Sequence, residues 1–488
     1  MIHKFWKLTN VWCRSPEINR TMELQTLLND PKIMCFNDNG YVSLEECRKI
    51  CSGKFPWFFI YSMESVMIGA VALLRSDGES AEVCIMIKQK WRRMGIGTDV
   101  LERLCDAACL SFGLKRLYAR VLTNNTNAIN FFKKREFVCT NSLPQHVKVP
   151  RELESIYFMR DLQTPSLSLS VIIPVHNCEK WIAQCIDSIS EIPCQIIVVD
   201  DASDDRTLEI VERLESNDKR IKLLRLSERC FAGGARNAGL AEADGEYVFF
   251  LDGDDILCDH SVCRRMFMAA CMSRADVICT SEVEFFDDKK SWRLQRGGQY
   301  TGVVGSNVRT MMLANQRPVW MCWFRREYVE KNELRFAEGV RSYEDNLFTF
   351  ISALTVGSMV TVPGVLVSHR IRIDSLSHVP DSHVQTAFFD VVDMQLDYAK
   401  SVGVYSQMPE MIERCFFHSV FLTAFHVWKM LKDREDWIIV DALDFLKTKF
   451  PDMLGHIDCF HISNREKDMF VLAWTDMEQF FVRFGDIR

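Results

Sequence analysis

The sequence predicts an α/β protein with more than one domain and a helical region at its end. Between residues 169 and 257, short apolar runs alternate with helical patterns, which is typical of a parallel sheet covered by helices. From about residue 384 onward, only helical periodicity remains. Because 488 residues exceed the size of one ordinary domain, we expect two or three domains.

The composition is that of a globular protein with little affinity for nucleic acid. Hydrophobic residues make up 48% and charged residues 26% of the chain, and the formal net charge is −7. Its 19 cysteines form no C-x-x-C pair, which favours a reducing compartment over a zinc or disulfide framework. The first residues lack the apolar core of a signal peptide, so we expect a cytoplasmic protein, with peripheral contact at the inner face of the membrane kept open.

The chain is predicted to divide into four segments. Residues 163–168 separate two α/β units, because Pro165 and the neighbouring serines break helices and offer no apolar period. The predicted segments are a first domain at 1–162, a linker at 163–168, a second domain at 169–380 and a helical region at 381–488.

A glycine-containing loop lies between a predicted strand and a long predicted helix, in the segment KQKWRRMGIGTDVL (88–101). Gly95 and Gly97 allow backbone N–H groups to approach a ligand, and the helix that follows presents its positive end to an anion. Arg92 and Arg93 add charge-assisted donors. The segment therefore predicts a site for a phosphate-like group.

This pattern resembles the acetyl-CoA pyrophosphate loop of the GNAT N-acetyltransferases. A second segment, NTNAINFFKKREF (125–137), resembles that family's N-x-x-A-x-x-F-Y-x-x-x-G-F motif. The resemblance covers residues 1–162 and implies a GNAT fold, in which acetyl-CoA enters a V-shaped split between two central strands. The residues that it implies for acetyl-CoA binding are Arg92, Arg93, Met94, Gly95, Ile96, Gly97, Thr98, Asn125, Ala128 and Phe132.

Two departures from the GNAT pattern bear on activity. Phe132 stands where many relatives have a tyrosine that protonates the leaving thiolate, and Glu136 replaces the usual glycine, which predicts an altered turn. Catalysis can survive the first change because positioning an amine against a thioester supplies much of the rate; loss of activity is the alternative. Glu82 is either a general base or a solvated strand residue.

Carboxylates follow two apolar runs of the second unit at the points where the strands end. Asp252, Asp254 and Asp255 follow one run, and Asp200 and Asp201 follow another. In parallel α/β sheets, ligands bind beyond the carboxyl ends of the strands. Clustered carboxylates repel one another, so a cation is expected between them; a solvated acidic turn is the alternative.

Four ordered motifs in this unit resemble the family 2 glycosyltransferases of GT-A fold. The resemblance implies a Rossmann-like domain that binds a nucleotide-sugar through Mn²⁺ or Mg²⁺ and inverts the anomeric carbon by direct displacement. The motifs are LSVIIPVHNCEKWIAQCIDSI (169–189), IIVVDDASDDRT (196–207), GGARNAGLAEADGEYVFFLDGDD (233–255) and WFRREYVEKNELRFAEGVRSYEDNLF (323–348).

The resemblance also implies roles for individual residues on the donor side. Asp254 would bind the metal together with Asp252, while Asp255 is expected to cap the following turn. Arg236 could bind the nucleotide or brace its loop, and Asn237 is expected to hold that loop together. The residues implied for nucleotide-sugar binding are Pro174, His176, Asn177, Asp200, Asp201, Arg236 and Asp252.

On the acceptor side, Asp345 matches the family's catalytic base, which takes a proton from the acceptor hydroxyl. Glu344 would position the acceptor or the base. A helix N-cap is the alternative role for Asp345. His369 could reach the metal or lie at the surface, and Arg370 and Arg372 could pair with the diphosphate or be solvated.

The helical region contains an aromatic stripe formed by Phe417, Phe421, Phe425 and Trp428. Such a stripe is usually core or an interdomain face, and shallow membrane contact is the alternative.

Together, these observations predict a bifunctional enzyme of surface polysaccharide or glycoconjugate biosynthesis. One domain would acetylate an amine, on an amino sugar in the favoured version, and the other would transfer a sugar to a glycan or lipid-linked glycan. Support for the amino sugar comes from the segment 11–22, which loosely resembles the first helix of GNAT enzymes that acetylate nucleotide-linked deoxysugars. The alternatives are a non-catalytic GNAT binding module and a GNAT domain acting on protein or antibiotic amines.

Overall fold

The computed structural model contains two sheets followed by a helical region. All statements below refer to its described residues, which are 11–14, 21–30, 42–52, 57–62, 66–74, 76–141, 154–163, 165–287, 290–295, 303–304, 317–372, 386–431, 435–460 and 462–485.

The first sheet has seven strands in the order β1-β2-β3-β4-β5-β7-β6. Its strands are β1 (Val11–Arg14), β2 (Trp57–Ser62), β3 (Met67–Leu74), β4 (Ser80–Ile87), β5 (Arg116–Leu122), β6 (Val138–Cys139) and β7 (Ser155–Asp161). The helices of this unit are α1 (Thr21–Leu28), α2 (Leu44–Ser52), α3 (Ile96–Phe112) and α4 (Thr126–Lys133). Residues 11–14 form an edge strand paired with β2, so the expected helix does not begin there; residues 15–20 lie outside the described part.

The central strands of this sheet separate as the sequence predicts. Strands β4 and β5 run parallel and pair only over residues 80–82 and 116–118. Beyond that point β4 continues on β3, and β5 continues on β7. The V-shaped split is therefore confirmed, with Glu82 beside its vertex.

The second sheet has ten strands, eight of them in the order β10-β9-β8-β11-β16-β13-β17-β12, with β14 on β13 and β15 on β17. Strands β8 to β11 are parallel, and β16 is antiparallel to β11. The strands are β8 (Leu169–Val175), β9 (Gln195–Asp200), β10 (Ile221–Arg225), β11 (Tyr247–Phe250), β12 (Ile256–Leu257), β13 (Val277–Phe286), β14 (Ser291–Gln295), β15 (Val303–Val304), β16 (Cys322–Arg325) and β17 (Ser358–Arg370). The helices are α5 (Ile182–Ser188), α6 (Thr207–Asn217), α7 (Phe231–Ala241), α8 (His260–Ser273), α9 (Arg326–Lys331) and α10 (Glu344–Thr355).

The last region is helical and has its own aromatic core. Phe417, Phe421 and Trp428 are at most 1% exposed, and they pack against Phe470 and Phe480. The core role of the stripe is confirmed, and these buried rings offer no face to a membrane. None of the described helices is long and apolar enough to span a bilayer. The helical segments are α11 (Phe388–Ser401), α12 (Val404–Gln407), α13 (Pro409–Phe416), a π-helical turn (Phe417–Leu422), α14 (Thr423–Met430), α15 (Trp437–Lys449), α16 (Met453–His456), α17 (Asn464–Thr475) and α18 (Met477–Gly485).

The two α/β units pack directly on each other through α3 and α8. Arg103 of α3 is 2% exposed; its Nη2 pairs with Asp99 at 2.7 Å, and its Nη1 donates to the Met272 carbonyl of α8 at 3.1 Å. The predicted linker also packs, since the Ser166 amide donates to Asp106 at 3.0 Å and Leu167 is buried. Helix α3, which follows the predicted acetyl-CoA loop, is therefore packed against the second domain.

Candidate active sites

The predicted acetyl-CoA loop leads directly into a helix N-terminus. Gly95 caps α3 with φ 82°, and Arg93 just before it has φ 63°. The first amides to donate to the Gly95 carbonyl are those of Thr98 and Asp99, so the N–H groups of Ile96 and Gly97 precede the helical ladder. Such amides at the positive end of a helix suit a pyrophosphate.

Basic side chains surround this helix start. Arg92 and Arg93 are exposed, and Arg92 Nε donates to the Ile87 carbonyl at 2.7 Å. Arg135, which neither GNAT motif singles out, lies two residues after α4 and donates from Nε to Thr98 Oγ1 at 3.1 Å. The basic run 133–135 was the sequence signal that could have indicated it.

The second GNAT motif has structural roles in the described residues. The Asn125 side chain caps α4 by accepting from the Ala128 amide at 3.1 Å. Phe132 is 5% exposed and packs against Phe137 and Phe158, with ring centroids 5.0 and 6.3 Å away. Burial in this cluster argues against contact between Phe132 and a bound thioester.

The structure also describes the second departure, Glu136, and the candidate base, Glu82. Glu136 adopts φ 61°, the left-handed conformation that glycine favours, so a side chain stands here on a strained backbone; the altered turn stays a prediction. Glu82 is 8% exposed, with Oε1 3.9 Å from Arg120 Nε, which corrects the solvated alternative. Its carboxylate lies beside the strand split, where a general base would be needed.

In the second domain, the two carboxylates at the end of β9 are buried, and not all of their oxygens have a hydrogen-bond partner. Asp200 is 3% exposed; its Oδ2 accepts from the Ser203 amide at 3.3 Å, but its buried Oδ1 has no hydrogen-bond partner in the described structure. Asp201 accepts from the Cys230 amide at 2.6 Å. His176 Nδ1 lies 2.8 Å from the Asp201 carbonyl, and Asn177 has φ 54°.

A second group of acids converges beyond β11. One ligand atom each from Asp252, Asp255 and His369 lie within 4.8 Å of one another. Asp255 is fully buried and accepts from His369 Nδ1 and from the Arg370 amide, both at 2.9 Å. Asp255 therefore does not cap the turn. His369 is partly buried, with 27% of its side chain exposed, and it stacks on Trp320 at a centroid distance of 5.1 Å. These three side chains form the metal-type cluster.

Asp254 points to a different partner. Its Oδ2 lies 3.2 Å from Arg372 Nε, and its carbonyl accepts from Arg370 Nε at 2.9 Å. The Arg372 guanidinium lies 4.3 Å from the Trp181 ring centroid. The metal role of Asp254 stays a prediction. Arg370 and Arg372 both contact Asp254, so they lie where they could pair with a diphosphate.

The electrostatics of the cluster favour added positive charge. Burial and the neighbouring carboxylates raise the pKa of Asp255 to about 7 even though His369 lowers it. Burial alone would lower the pKa of His369, but the Asp255 carboxylate raises it to about 9. Burial and Asp252 also raise the pKa of Asp254. The raised pKa values of Asp254 and Asp255 show that neighbouring carboxylates repel one another here. A divalent cation could reduce this repulsion in place of a bound proton.

Arg236 joins Asp252, a predicted nucleotide-sugar ligand, to the region of the predicted base. Its side chain is 6% exposed, Nη2 donates to Asp252 Oδ1 at 2.6 Å, and Nη1 donates to Glu344 Oε1. This geometry supports bracing, the second of the two alternatives for Arg236. The loop role of Asn237 is confirmed: its Nδ2 donates to the Phe336 carbonyl at 3.1 Å.

Asp345 lies one residue inside α10 with a half-buried side chain. The N-cap position belongs to Tyr343, which makes no side-chain capping bond, so the N-cap alternative for Asp345 is wrong. Burial and the neighbouring Glu344 raise the pKa of Asp345 to about 7. A carboxyl group with this pKa can accept a proton near neutral pH.

Comparison with known proteins identifies two families along the chain. Residues 21–137 match the acetyltransferase (GNAT) family model, and residues 170–333 match the glycosyl transferase family 2 model. The uncharacterized glycosyltransferase EpsJ of Bacillus subtilis is 28% identical over 236 residues, which cover 45% of this chain and 67% of EpsJ. The poly(ribitol-phosphate) beta-N-acetylglucosaminyltransferase TarS of Staphylococcus aureus is 28% identical over 200 residues, covering 38% of this chain and 32% of TarS.

Solved structures give weaker overall similarity. Residues 1–349 of S. aureus TarS in complex with UDP-GlcNAc superpose with a TM-score of 0.41 at 18% identity, over 63% of this chain and 92% of that one. Spermidine N-acetyltransferase from Vibrio cholerae, in complex with CoA and spermine, superposes with a TM-score of 0.28 at 20% identity, over 31% and 96%. From the two family matches, the chain carries a GNAT-family acetyltransferase domain followed by a family 2 glycosyltransferase domain.

Proposed function

We propose that this protein is a bifunctional enzyme of surface polysaccharide or glycoconjugate biosynthesis. Its second domain transfers a sugar from a nucleotide-sugar to a glycan or lipid-linked glycan, and its first domain acetylates an amine, on an amino sugar in the favoured version. The supporting observation is that Arg236 binds both Asp252 and Glu344. Asp252 is the proposed donor ligand, and Glu344 is the chain neighbour of the proposed base, Asp345.

The donor pocket contains a buried acceptor without a partner. Asp200 Oδ1 needs a hydrogen-bond donor, and an N–H group of a nucleobase, in the ring or on an exocyclic amine, would supply one. Pro174, His176, Asn177 and Asp201 complete the proposed base and ribose pocket. A thermal-shift panel of nucleotide-sugars, with and without Mn²⁺, would identify the donor.

The acidic cluster fits a divalent cation. Asp252 and Asp255 offer carboxylate oxygens, and His369 offers an imidazole, a ligand set that suits Mn²⁺ better than Mg²⁺. When bound, the cation would neutralise the diphosphate leaving group. Arg370 and Arg372 add positive charge at the same edge, and Asp254 becomes available to the cation if it releases Arg372.

The acceptor hydroxyl attacks the anomeric carbon as Asp345 takes its proton. The bond between that carbon and the nucleoside diphosphate breaks in the same step, so the configuration inverts. Glu344 is already held by Arg236 and acts as the positioning residue beside the base.

The test is Asp345→Asn in the full chain. We expect transfer to fall by about 10²–10⁴-fold while nucleoside diphosphate binding, measured by calorimetry, stays within about twofold. Glu478→Gln, in α18 of the helical region, is the control and should change neither quantity. Full transfer by Asp345→Asn would show that the base is another residue.

For the first domain, the amides of α3 and the Arg135 side chain support acetyl-CoA binding, while the buried Phe132 offers no proton. The full chain should be titrated with CoA and then assayed with acetyl-CoA against amino-sugar nucleotides, lysine peptides and aminoglycosides. Turnover of an amino sugar supports our proposal. CoA binding without turnover of any amine would favour the binding module, and turnover of a peptide or aminoglycoside would favour the third alternative.

A further inference from the structure

A partly exposed aromatic face lies on the β13–β14 hairpin beside the metal-type cluster. The strand register pairs Phe285 with Trp292 and Val283 with Leu294, so these four side chains share one face of the hairpin. Trp292 is 36% exposed and Leu294 is 43% exposed. The Trp292 ring stacks on Phe285 with centroids 5.8 Å apart and planes 22° apart.

The rings continue from this face to the cluster. Phe285 is the register partner of His369 on β17, and the edge of one ring meets the other at a centroid distance of 5.7 Å. His369 stacks on Trp320 and binds Asp255 through Nδ1. The four residues Trp292, Phe285, His369 and Trp320 therefore form one aromatic series, which begins at the surface, reaches the cluster at His369 and ends at the buried Trp320.

We propose that Trp292 is the acceptor platform of the glycosyltransferase site, on which a pyranose unit of the acceptor glycan stacks. This inference rests on the proposed function. The C–H face of a pyranose packs against an aromatic ring while its hydroxyl groups remain in water, so a single half-exposed indole is sufficient. A stable protein interface would need a far wider apolar area.

Continuity with the donor site and the charge at its edge support this occupant. The platform is linked through Phe285 to His369, so a glycan seated on it would extend toward the cluster where the donor diphosphate is expected. The Lys290 ammonium lies over the Trp292 ring, 5.2 Å from its centroid, so a bound pyranose would displace it to the edge of the platform, where it can donate a hydrogen bond. On the opposite face of the hairpin, Glu284 and Ser291 line a separate cavity of about 560 Å³.

The experiment compares three variants of the full chain: Trp292→Ala, Trp292→Phe and, from the opposite face, Ser291→Ala. Binding of the methyl glycosides of glucose, galactose and N-acetylglucosamine, and of chitotetraose and cellotetraose, is followed by saturation-transfer NMR. Hydrolysis of the donor by water and the KM of the acceptor are measured in parallel. We expect Trp292→Ala to weaken glycan binding and to raise the acceptor KM by about tenfold, because a stacking contact is lost.

Trp292→Phe should restore most of this loss, Ser291→Ala should behave as the wild type, and donor hydrolysis should stay within about twofold in all three. An unchanged acceptor KM in Trp292→Ala would refute the platform alone. Loss of donor hydrolysis in that variant would assign Trp292 a structural role and also refute it. A wild-type chain that consumes no nucleotide-sugar would overturn the proposed function and the platform with it. Trp292-dependent flotation with phosphatidylglycerol vesicles, without glycan binding, would replace the platform with a membrane contact.

Discussion

Asp252 and Glu344 are bound to the same guanidinium, although 92 positions separate them in the sequence. Arg236 Nη2 lies 2.6 Å from Asp252, and its Nη1 donates to Glu344. Asp252 follows β11, and Glu344 begins α10. One buried cation therefore fixes the distance between the two halves of the proposed reaction site.

Replacing Arg236 with methionine should lower the free energy of unfolding by about 3–5 kcal/mol, because two carboxylates lose their buried counter-ion. Guanidinium denaturation would measure this loss. Arg206→Met is the matched control: Arg206 pairs with Glu209 at 3.1 Å, but both side chains are more than 60% exposed, so its loss should change the free energy of unfolding far less than the loss of Arg236. Equal costs for the two variants would contradict the buried bridge.

The transfer rate should increase as the pH rises through about 7. Burial and Glu344 raise the pKa of Asp345 to about 7, and only its ionised form can accept a proton. At low pH the carboxyl group is protonated and the rate falls. A profile of kcat/KM between pH 5.5 and 9 would give the apparent pKa. The residual activity of Asp345→Asn should lack this step.

Removing the imidazole of His369 should weaken Mn²⁺ binding by about tenfold or more, because the cluster loses one of three convergent ligands. Electron paramagnetic resonance of free Mn²⁺ in titrations of His369→Ala would measure the change. The control is His260→Ala, because His260 also contacts a carboxylate, Glu191 at 3.2 Å, outside the cluster. Equal Mn²⁺ affinity in all three proteins would remove His369 from the site.

Glu136→Gly should raise the free energy of unfolding by about 0.5–1 kcal/mol. The φ of 61° costs a residue with a side chain about 1–2 kcal/mol, and the greater freedom of glycine in the unfolded chain returns part of that gain. Glu136→Ala removes the same exposed carboxylate, 3.5 Å from Arg160, without relieving the backbone, so it should not stabilise. Thermal unfolding of the two variants would separate backbone strain from charge.

The sequence predicts those site residues that are marked by a strand end or by a short motif. The rule for strand ends locates Asp200, Asp201 and Asp252, and a motif locates Asp345 at the start of its helix. It cannot predict the partner of Asp255, because His369 lies 114 residues away and meets it only through the β12–β17 register.

The choice between bracing and binding for Arg236 also needed tertiary structure. The proposed platform could not be predicted from the sequence either. Trp292, Phe285 and His369 come together only when β13, β14 and β17 pair in register. At the edge of the first sheet, the expected helix is preceded by β1, which pairs with β2. The four residues of β1 are too few to show a periodic pattern from which a strand could be predicted.

The packing of α3 on α8 has a practical consequence for anyone who divides this molecule. A chain that stopped at residue 162 would expose the Arg103 surface of α3 to water, and the remainder would expose the facing surface of α8. Expressed apart, each half would be prone to aggregate. A protease cut at residues 163–168 in the assembled protein, in contrast, should leave two fragments that elute together from a sizing column.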